Sequence, residues 1–457
     1  MDSEDSQTNF HENRRMKMDA VKIVNKINKE HGTIKNVYFL ACGGSLVDLY
    51  PGYYFVRAES AVMDAQWIPA REFALTPPKK LGKDSLLIIC SHSGKTKECL
   101  EAAKTGMDAG AAVVTMTHAP GSPCDTDKWI SVVYDWAPGV KEALEHFHTD
   151  DLRLYPDPVV TDLVDGIAQF YQVDPSQVFV GVGSDDVLAM LFMTFFNSKK
   201  PILFPDITYS FYDVWAEMLR IPYTQIPLDD AFRLNPADYK CENGGIVFPN
   251  PNAPTGELLP VSAIEEIIQA NPDVIVIVDE AYIDFGGESA LPLIDKYDNV
   301  IVVQTFSKSR SMAGMRIGFA LACPKLIKYL NDVKYSFNSY TMNRTSIAAG
   351  VAAIKDQEYF LETCGKIIET REWTKKELRK LGFYFEESKA NFIFAAHKNC
   401  PAEKLFQALR EQHIYVRYFP GGRTGNHLRI TIGTRNEMEV FINFVREYLK
   451  KENLWKF

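Results

Sequence analysis

The feature that most constrains the fold is a set of short, β-branched apolar runs, each of which ends in a polar loop. One of them, VIVVQTF, spans residues 300–306. A strand with apolar side chains on both faces is typical of a parallel sheet that is covered by helices. Ligands of open α/β sheets bind beyond the carboxyl ends of such strands. The sequence therefore predicts an α/β fold whose functional residues follow these runs.

Lys308 follows this apolar run, within the stretch TFSKSRSMAGMRIGFA. A lysine forms a Schiff base when its amine is partly deprotonated, which requires a desolvated pocket or nearby positive charge. Arg316 can supply that charge while it binds a phosphate, and Thr305 and Ser307 offer hydroxyls to the same phosphate. We interpret the stretch as the site of a phosphorylated aldehyde cofactor. An isolated lysine–arginine cluster is also typical of a solvated surface loop.

Two further motifs favour the cofactor site. The run VIVIVDEAYIDF at residues 274–285 places Asp279 at the end of an apolar strand, where a carboxylate can pair with a protonated pyridine nitrogen. Tyr282 can donate a hydrogen bond to the phenolic oxygen of the same ring. The Pro/Asn/Gly-rich turn FPNPNAPTGELL, which begins as the apolar strand GIVF ends, offers Asn252 or Asn250 as a second donor.

A third motif, VGVGSDDVLAML at residues 180–191, begins an apolar-periodic helix at Ser184 and Asp185. Free backbone N–H groups at a helix start form a phosphate cradle. Each motif alone also has an ordinary interpretation, as an acidic turn, a Pro-Gly turn or an N-cap. All of them occur in one chain in an order that a single fold explains, and we therefore favour the cofactor site.

From about residue 140 to the C-terminus, the chain resembles the histidinol-phosphate aminotransferases, which are pyridoxal-phosphate enzymes of fold type I. The matching strings are LRLYPDP, GVGSDDVL, PDITYSFY, NPNAPTG, VDEAYIDF, TFSKSRSMAGMRIGFA, KANFIF and LRITIGTRNEM. A set of this kind is far more specific than any single motif. The resemblance implies a large α/β domain with a mostly parallel sheet at about 160–340, and a smaller α+β domain at about 341–457.

The resemblance also implies a role for each matching residue of the cofactor site. Lys308 is the Schiff-base lysine and carries a proton between the substrate and the cofactor. Asp279 pairs with the ring nitrogen, Tyr209 stacks on the ring, and Tyr282 and Asn252 donate to the ring oxygen. The implied phosphate ligands are the backbone groups of Ser184 and Asp185, and the side chains of Ser307 and Arg316.

In the resembled family, the tyrosine of LRLYPDP, Tyr155, reaches the cofactor phosphate of the neighbouring subunit, which implies a homodimer. Arg429 is implied to bind the substrate α-carboxylate as a bidentate fork, with Arg417 and Asn391 as further substrate contacts. The implied reaction is transamination between an amino donor, histidinol phosphate, and a 2-oxo acid, 2-oxoglutarate, in histidine biosynthesis. Aromatic or broad-specificity aminotransferases and amino-acid-phosphate decarboxylases share the scaffold and are alternatives.

The chain departs from the family pattern at three places. Val182 stands where family members often have an asparagine, and Ala253 stands within the family string PNNPTG. Because of the second departure, either Asn252 or Asn250 can be the donor to the ring oxygen. The N-terminal arm, which in the family precedes LRLYPDP and helps to cover the substrate, is not recognisable before residue 137.

Residues 36–134 alternate apolar and amphipathic runs, which predicts a parallel sheet with right-handed crossovers. Two of these strands end in loops of small residues, and such loops at helix starts suit a phosphate or a phosphosugar. The same loops are also typical of tight turns with N-caps. The candidate ligands are Gly44, Ser45, Ser91, Ser93 and Thr96.

The strings ACGGS and CSHSGKT, followed by KECLEAA, are similar to the sugar isomerase (SIS) domain in the first half of fructosamine-6-phosphate deglycases. The resemblance implies a phosphosugar-binding domain at 1–135 with the fold of a parallel α/β sandwich, followed by the aminotransferase at 136–457. The essential acid and base residues of the deglycases come from a second half, so independent turnover is not expected. An alternative is a phosphosugar-responsive protein with an inactive transaminase part.

Composition narrows the remaining function classes. A length of 457 with 46% hydrophobic residues provides core for two or three domains. The net charge of −9 argues against nucleic acid or an anionic membrane as the main partner. The N-terminus lacks an apolar run, and the eight cysteines show no CxxC pair, which favours reduced thiols in a cytoplasm. We predict no metal site.

Overall fold

The computed structural model describes residues 20–42, 45–46, 49–60, 62–117, 119, 121–126, 128–133 and 137–454. The chain divides into an N-terminal unit, 1–136, and a C-terminal unit, 137–457. The sequence places this boundary one residue earlier. All eight cysteines are free thiols. Within the described ranges, no helix is both long enough and apolar enough to span a membrane.

The N-terminal unit is built on a five-stranded parallel sheet with the order β2-β1-β3-β4-β5. The strands are β1 (Asn36–Ala41), β2 (Asp64–Pro69), β3 (Ser85–Cys90), β4 (Ala112–Thr117) and β5 (Ile130–Val133). The helices are α1 (Ala20–His31), α2 (Tyr50–Glu59), α3 (Ala70–Leu75) and α4 (Lys97–Asp108). All six residues of β1 are buried, and separate apolar clusters lie on Tyr38 and on Phe39. Neighbouring strand residues face opposite sides, so helices cover both faces of the predicted parallel sheet.

The C-terminal unit contains a seven-stranded sheet with the order β6-β12-β11-β10-β9-β7-β8, in which β12 alone runs against its neighbours. The strands are β6 (Val178–Gly181), β7 (Ile202–Pro205), β8 (Tyr223–Ile226), β9 (Ile246–Pro249), β10 (Val276–Asp279), β11 (Val300–Thr305) and β12 (Gly318–Ala322). The helices of this part are α5 (Pro138–Glu145), α6 (Thr161–Tyr171), α7 (Ser184–Phe195), α8 (Tyr212–Leu219), α9 (Val261–Ala270) and α10 (Pro324–Phe337). All residues of β10 and β11 are buried, as expected for central strands.

The rest of the C-terminal unit packs helices on a four-stranded antiparallel sheet with the order β13-β14-β16-β15. Its elements are α11 (Arg344–Lys355), α12 (Gln357–Lys380), β13 (Phe383–Tyr384), β14 (Phe392–His397), α13 (Ala402–Glu411), β15 (Arg417–Tyr418), β16 (His427–Thr431) and α14 (Arg435–Lys451). Thr434 and Glu437 form a capping box that fixes the start of α14. An apolar core joins α12, α13 and α14 to the sheet.

Candidate active site

A cavity of about 150 Å³ lies beyond the carboxyl ends of β10 and β11 and the start of α7. Parallel strands bring their carboxyl ends to one edge of a sheet, so the loops that follow them converge there. The predicted residues that line the cavity are Ser184, Asp185, Tyr209, Asp279, Tyr282, Ser307, Lys308 and Arg316.

Lys308 lies in the loop after β11 and extends into this cavity. Its Nζ is 5.3 Å from the centroid of the Tyr282 ring. The loop turns sharply because the backbone N–H of Ser307 donates to Thr305 Oγ1 at 3.1 Å. The Thr305 hydroxyl in turn donates to the Ile317 carbonyl at 3.2 Å. Lys308 is therefore presented by a loop that is hydrogen-bonded on the side facing the sheet.

Asp279 ends β10 and is buried, with 5% of its surface exposed. The Tyr212 hydroxyl donates to its Oδ2 at 2.9 Å, and the Ala281 backbone N–H donates to Oδ1 at 3.2 Å. Burial raises the pKa of Asp279 to about 6, although both hydrogen bonds act in the opposite direction. A buried carboxylate of this kind is stabilised by a cationic partner. The sequence analysis missed Tyr212, which lies three residues after Tyr209 in the aromatic string PDITYSFY.

The start of α7 and Arg316 lie together at one side of the cavity. Gly183 precedes the helix with φ of 89°, and a Cβ there would lie 2.4 Å from Arg316 Nη2. Only glycine permits this approach of the guanidinium to the helix start. Arg316 Nη2 lies 3.4 Å from Asp185 Oδ2. Since the N–H groups of the first turn also favour negative charge, the site suits a phosphate.

Tyr209 lines the same cavity and contacts the first turn of α7. Its hydroxyl donates to Asp185 Oδ1 at 2.8 Å, so the Asp185 carboxylate bridges Tyr209 and Arg316. Desolvation raises the pKa of Tyr209, and the hydrogen bond to Asp185 adds to the effect. The sequence analysis considered only the backbone of Asp185. The side chain fixes both Tyr209 and Arg316.

A second cavity of about 410 Å³ shares Tyr209 and Ala253 with the first. Arg417 and Arg429 line it, and they are register partners on β15 and β16. The Arg429 guanidinium lies 5.1 Å from the centroid of the Phe392 ring. Burial lowers the pKa of Arg429, and repulsion from Arg417 acts in the same direction. Two guanidinium groups on paired strands, one of them desolvated, favour the binding of an anion in this cavity.

The asparagines of the NPNAPTG turn line neither of these cavities. Asn252 Nδ2 donates to Thr255 Oγ1 at 2.9 Å, and Asn250 Nδ2 donates to the Leu259 carbonyl at 3.1 Å. Both amides stabilise the turn, and Asn252 Nδ2 also donates to the Ile207 carbonyl at 3.1 Å, which links the turn to the segment after β7. The position that the turn presents to both cavities is Ala253.

Three further predicted residues lie outside the cavities of this single chain. Tyr155 is 79% exposed, and its ring centroid is 4.8 Å from that of Tyr340. Asn391 precedes β14, and its carbonyl accepts from the Ile432 N–H at 2.8 Å. Thr305 is buried beneath the lysine loop.

In the N-terminal unit, the predicted phosphosugar loop connects β3 to α4. The Ser91 hydroxyl donates to Thr96 Oγ1 at 2.9 Å, and Ser93 Oγ accepts from the Lys95 N–H at 3.3 Å. Ser91 and Thr96 are therefore adjacent at the helix start. Ser45 lies in a short helical segment, whereas Gly44 lies outside the described residues.

Comparisons with known proteins show which family and which proteins the chain is similar to. The sequence matches the family Aminotransferase class I and II over residues 131–445. It is 50% identical over 347 residues to histidinol-phosphate aminotransferase 1 of Hydrogenovibrio crunogenus, which covers 75% of this chain and 98% of that protein. It is 52% identical over 318 residues to the histidinol-phosphate aminotransferase of Brachyspira hyodysenteriae, with 69% and 90% covered. Its structure is similar to that of histidinol-phosphate aminotransferase from Sinorhizobium meliloti in complex with pyridoxal-5'-phosphate, with a TM-score of 0.61, 25% identity and 68% and 88% of the chains covered.

The residues of the first cavity fit that cofactor. An aldehyde requires an amine, a protonated pyridine requires a carboxylate, and a phosphate requires cations and N–H donors. Lys308, Asp279 and the Arg316 site at the start of α7 provide these groups in one cavity. Over the described ranges, no cluster of His, Cys, Asp or Glu side chains could hold a metal ion. The chain therefore belongs to the class I and II aminotransferase family and is a pyridoxal-phosphate-dependent aminotransferase.

Proposed function

We propose that the C-terminal unit transfers the amino group of histidinol phosphate to 2-oxoglutarate, a step of histidine biosynthesis. The observation that carries this proposal is the pair Arg417 and Arg429 in a cavity that shares Tyr209 and Ala253 with the Lys308 cavity. A phosphate monoester carries up to about two negative charges near neutral pH, whereas a carboxylate carries one. Two guanidinium groups therefore match a phosphate monoester better than they match a carboxylate. The names of the similar proteins from Hydrogenovibrio and Brachyspira agree with this choice.

We infer the following roles for the residues of the first cavity. Pyridoxal phosphate supplies an aldehyde that condenses with amines and a ring that accepts electrons. Lys308 would hold the aldehyde through its amine, and the same amine would carry the proton of the substrate Cα. Asp279 keeps a proton on the ring nitrogen, and Tyr212 holds this carboxylate in place. Tyr209 would stack on the ring, and Tyr282 would donate to the ring oxygen.

The phosphate of the cofactor would be held at the start of α7. The groups that we propose to bind it are the backbone N–H groups of Ser184 and Asp185 and the side chains of Ser307 and Arg316. The asparagines of the NPNAPTG turn support this cavity indirectly. They order the turn that carries Ala253, so Tyr282 is our candidate for the main donor to the ring oxygen.

The arginine pair serves both half-reactions in this proposal. Histidinol phosphate carries a phosphate ester where glutamate carries its α-carboxylate. Arg429 can bind either anion as a planar fork, and Arg417 on the neighbouring strand adds the second charge that the phosphate requires. Asn391 lies beside β14 and β16, and we retain it as a further substrate contact.

We propose that the enzyme is a homodimer in which Tyr155 contacts the cofactor phosphate of the partner subunit. Tyr155 and Phe337 are 79% and 73% exposed, and Leu152 and Val159 are exposed by more than half. Large apolar side chains grouped on a surface are typical of a protein–protein interface. Light scattering tests the dimer, and Tyr155→Phe tests the contact. The variant weakens the retention of pyridoxal phosphate if Tyr155 reaches the partner, and a wild-type retention contradicts that role.

The half-reaction with single amino donors tests the substrate. We expect histidinol phosphate to convert the bound cofactor to its amine form, which is seen as a change of the cofactor absorbance. Lys308→Ala is the control for reaction at the lysine. Conversion by aromatic amino acids or glutamate alone would overturn the assignment to histidinol phosphate. Release of carbon dioxide from an amino-acid phosphate would instead identify a decarboxylase.

For the N-terminal unit we propose a phosphosugar-binding domain of the SIS type, at about 1–135. The supporting observation is the β3–α4 loop, where Ser91 and Thr96 place adjacent hydroxyls at a helix start. Fructosamine 6-phosphate is the probe, and a rise of the melting temperature of the intact protein is the expected result. The absence of any shift at millimolar concentration would contradict the proposal.

A further inference from the structure

Arg310, two residues after Lys308, is buried although its string SKSR is typical of a solvated loop. Only 7% of its surface is exposed. Its guanidinium lies among three aromatic rings, with Cζ at 4.1 Å from the centroid of Phe360, 4.8 Å from Phe170 and 5.1 Å from Phe306. Burial of a cation is costly unless its charge is compensated, so this placement requires a reason.

The compensation comes from a helix end, from aromatic faces, and from Asp284 and Tyr171, which both counteract the lowering of the Arg310 pKa by burial. Arg310 Nη1 donates to the Ala353 carbonyl at 2.7 Å, and Ala353 lies in the last turn of α11. Carbonyl groups of a last turn lack partners within the helix and carry its partial negative charge. Among the described residues, no carboxylate lies within ion-pair distance of Arg310. The guanidinium is therefore held by geometry that a shorter or neutral side chain cannot reproduce.

A second anchor lies between Arg310 and Lys308. The Ser309 hydroxyl donates to Asp284 Oδ2 at 2.5 Å, and Asp284 lies two residues after Tyr282. The N–H of Ser311 donates to the Lys308 carbonyl at 3.2 Å. The backbone of Lys308 is thus fixed from the side of Asp284 and from the side of the helices.

The groups around Arg310 connect the lysine loop to distant parts of the C-terminal unit. Phe170 lies on α6, Ala353 on α11 and Phe360 on α12. The chain from α11 and α12 continues into the antiparallel sheet that carries Arg417 and Arg429. We propose that Arg310, assisted by the Ser309–Asp284 contact, is a positioning residue that sets the Lys308 amine relative to the Cα of the bound substrate. The proposal depends on the proposed role of Lys308 and not on the identity of the amino donor.

The test replaces Arg310 by methionine, which fills the aromatic cage without the charge or the hydrogen bond. The matched control is Lys334→Met. Lys334 is also buried, donates to the Pro158 carbonyl at 3.0 Å and lies 5.8 Å from the Phe179 ring centroid, away from the lysine loop. Both variants lose one buried cation and one hydrogen bond to a carbonyl, so a general loss of stability affects both melting temperatures.

Two measurements distinguish positioning from stability. The first is the single-turnover rate with L-glutamate deuterated at Cα, where we expect Arg310→Met to lower the rate about 10- to 100-fold and to raise the primary isotope effect, because a misplaced base slows proton transfer. The second is hydrogen–deuterium exchange of the protein without cofactor, where amides of residues 305–316 exchange at least about tenfold faster in this variant. Lys334→Met leaves both quantities at their wild-type values.

An Arg310→Met variant that lowers only the melting temperature, with an unchanged isotope effect and unchanged exchange at 305–316, overturns the proposal. If this variant does not fold, Arg310→Lys and Ser309→Ala provide the same comparison with milder changes. If Lys308→Ala loses turnover but none of these variants changes the isotope effect or the exchange, the positioning role of Arg310 is contradicted. The role of Lys308 is then unaffected. Wild-type turnover in Lys308→Ala contradicts the proposed function itself.

Discussion

The two units use the same architectural rule with different chemical content. Both place polar loops beyond the carboxyl ends of parallel strands. In the C-terminal unit, an amine, a buried carboxylate and a guanidinium from separate elements line one cavity, namely Lys308, Asp279 and Arg316. In the described part of the N-terminal unit, the β3–α4 loop instead offers hydroxyls, and Ser91 and Thr96 are bonded to each other.

The difference shows that the edge of a parallel sheet determines where a ligand binds, whereas catalysis requires charged groups in a desolvated place. Burial raises the pKa of Asp279 to about 6, which is costly for the protein without a cationic partner. Strongly perturbed groups in a cavity are candidates for catalysis. Hydroxyls and free N–H groups can hold a phosphate without such cost. We therefore assign the reaction to the C-terminal unit, whereas phosphate binding by the N-terminal unit is our proposal.

Removal of the amine gives the largest effect and tests the centre of this comparison. In Lys308→Ala the covalent bond to the cofactor and the proton-transfer group are both lost, so kcat falls by about 10⁴-fold or more. Steady-state transamination and the absorbance of the bound cofactor measure the two losses. The comparison between the units fails if the variant retains wild-type turnover.

Asp279→Asn is the next test, and we expect it to lower activity but to raise stability at neutral pH. In Asp279→Asn the ring nitrogen loses its charged partner, so we expect kcat to fall by about 10²- to 10³-fold, or about 3 to 4 kcal/mol. The single-turnover rate measures this loss. A fall of less than about threefold would show that the buried carboxylate does not serve the reaction.

The same variant changes the pH dependence of stability in the protein without cofactor. Since burial raises the pKa of Asp279 from 3.8 to about 6, the folded chain holds this proton more tightly than the unfolded chain. The contribution of Asp279 to the free energy of unfolding therefore falls between these two pH values, by about 3 kcal/mol in total. A little under half of this fall, about 1.4 kcal/mol, lies between pH 5 and pH 8, and urea unfolding at these two pH values checks it. Asp279→Asn is expected to be the more stable protein at pH 8.

The arginine pair gives an intermediate effect. Arg429→Lys keeps the charge but loses the planar fork. We expect this change to weaken the binding of the substrate anion by about 1.5 to 3 kcal/mol and to raise KM about 10- to 100-fold. Arg435→Lys is the control, because Arg435 stacks on Trp373 at 3.8 Å and lies outside both cavities. Equal changes in the two variants would remove Arg429 from the substrate site.

How far the sequence determines these features depends on the range of the interactions. The buried strands β10 and β11 follow from apolar runs. Asp279 ends the first and Lys308 lies three residues after the second, so their meeting in one cavity is predictable. The side chain that a turn presents depends on its local backbone, which the sequence motif does not reveal. Asn252 or Asn250 was therefore expected to face the cofactor, whereas Ala253 lines the cavity. Arg310 is buried by Phe170 and Phe360, which are distant in sequence, and its charge in a loop suggested exposure.

We expect the smallest effect in the N-terminal unit, where each proposed ligand contact is a single hydroxyl. Ser91→Ala removes one donor at the start of α4 and should reduce the stabilisation by fructosamine 6-phosphate by about 1 kcal/mol, while transamination stays within about twofold of wild type. Thr105→Ala, which loses a hydroxyl bonded to Glu101 within α4, is the control. A parallel loss of transamination in Ser91→Ala would show that the two units are coupled, and binding and catalysis could then no longer be assigned to separate units.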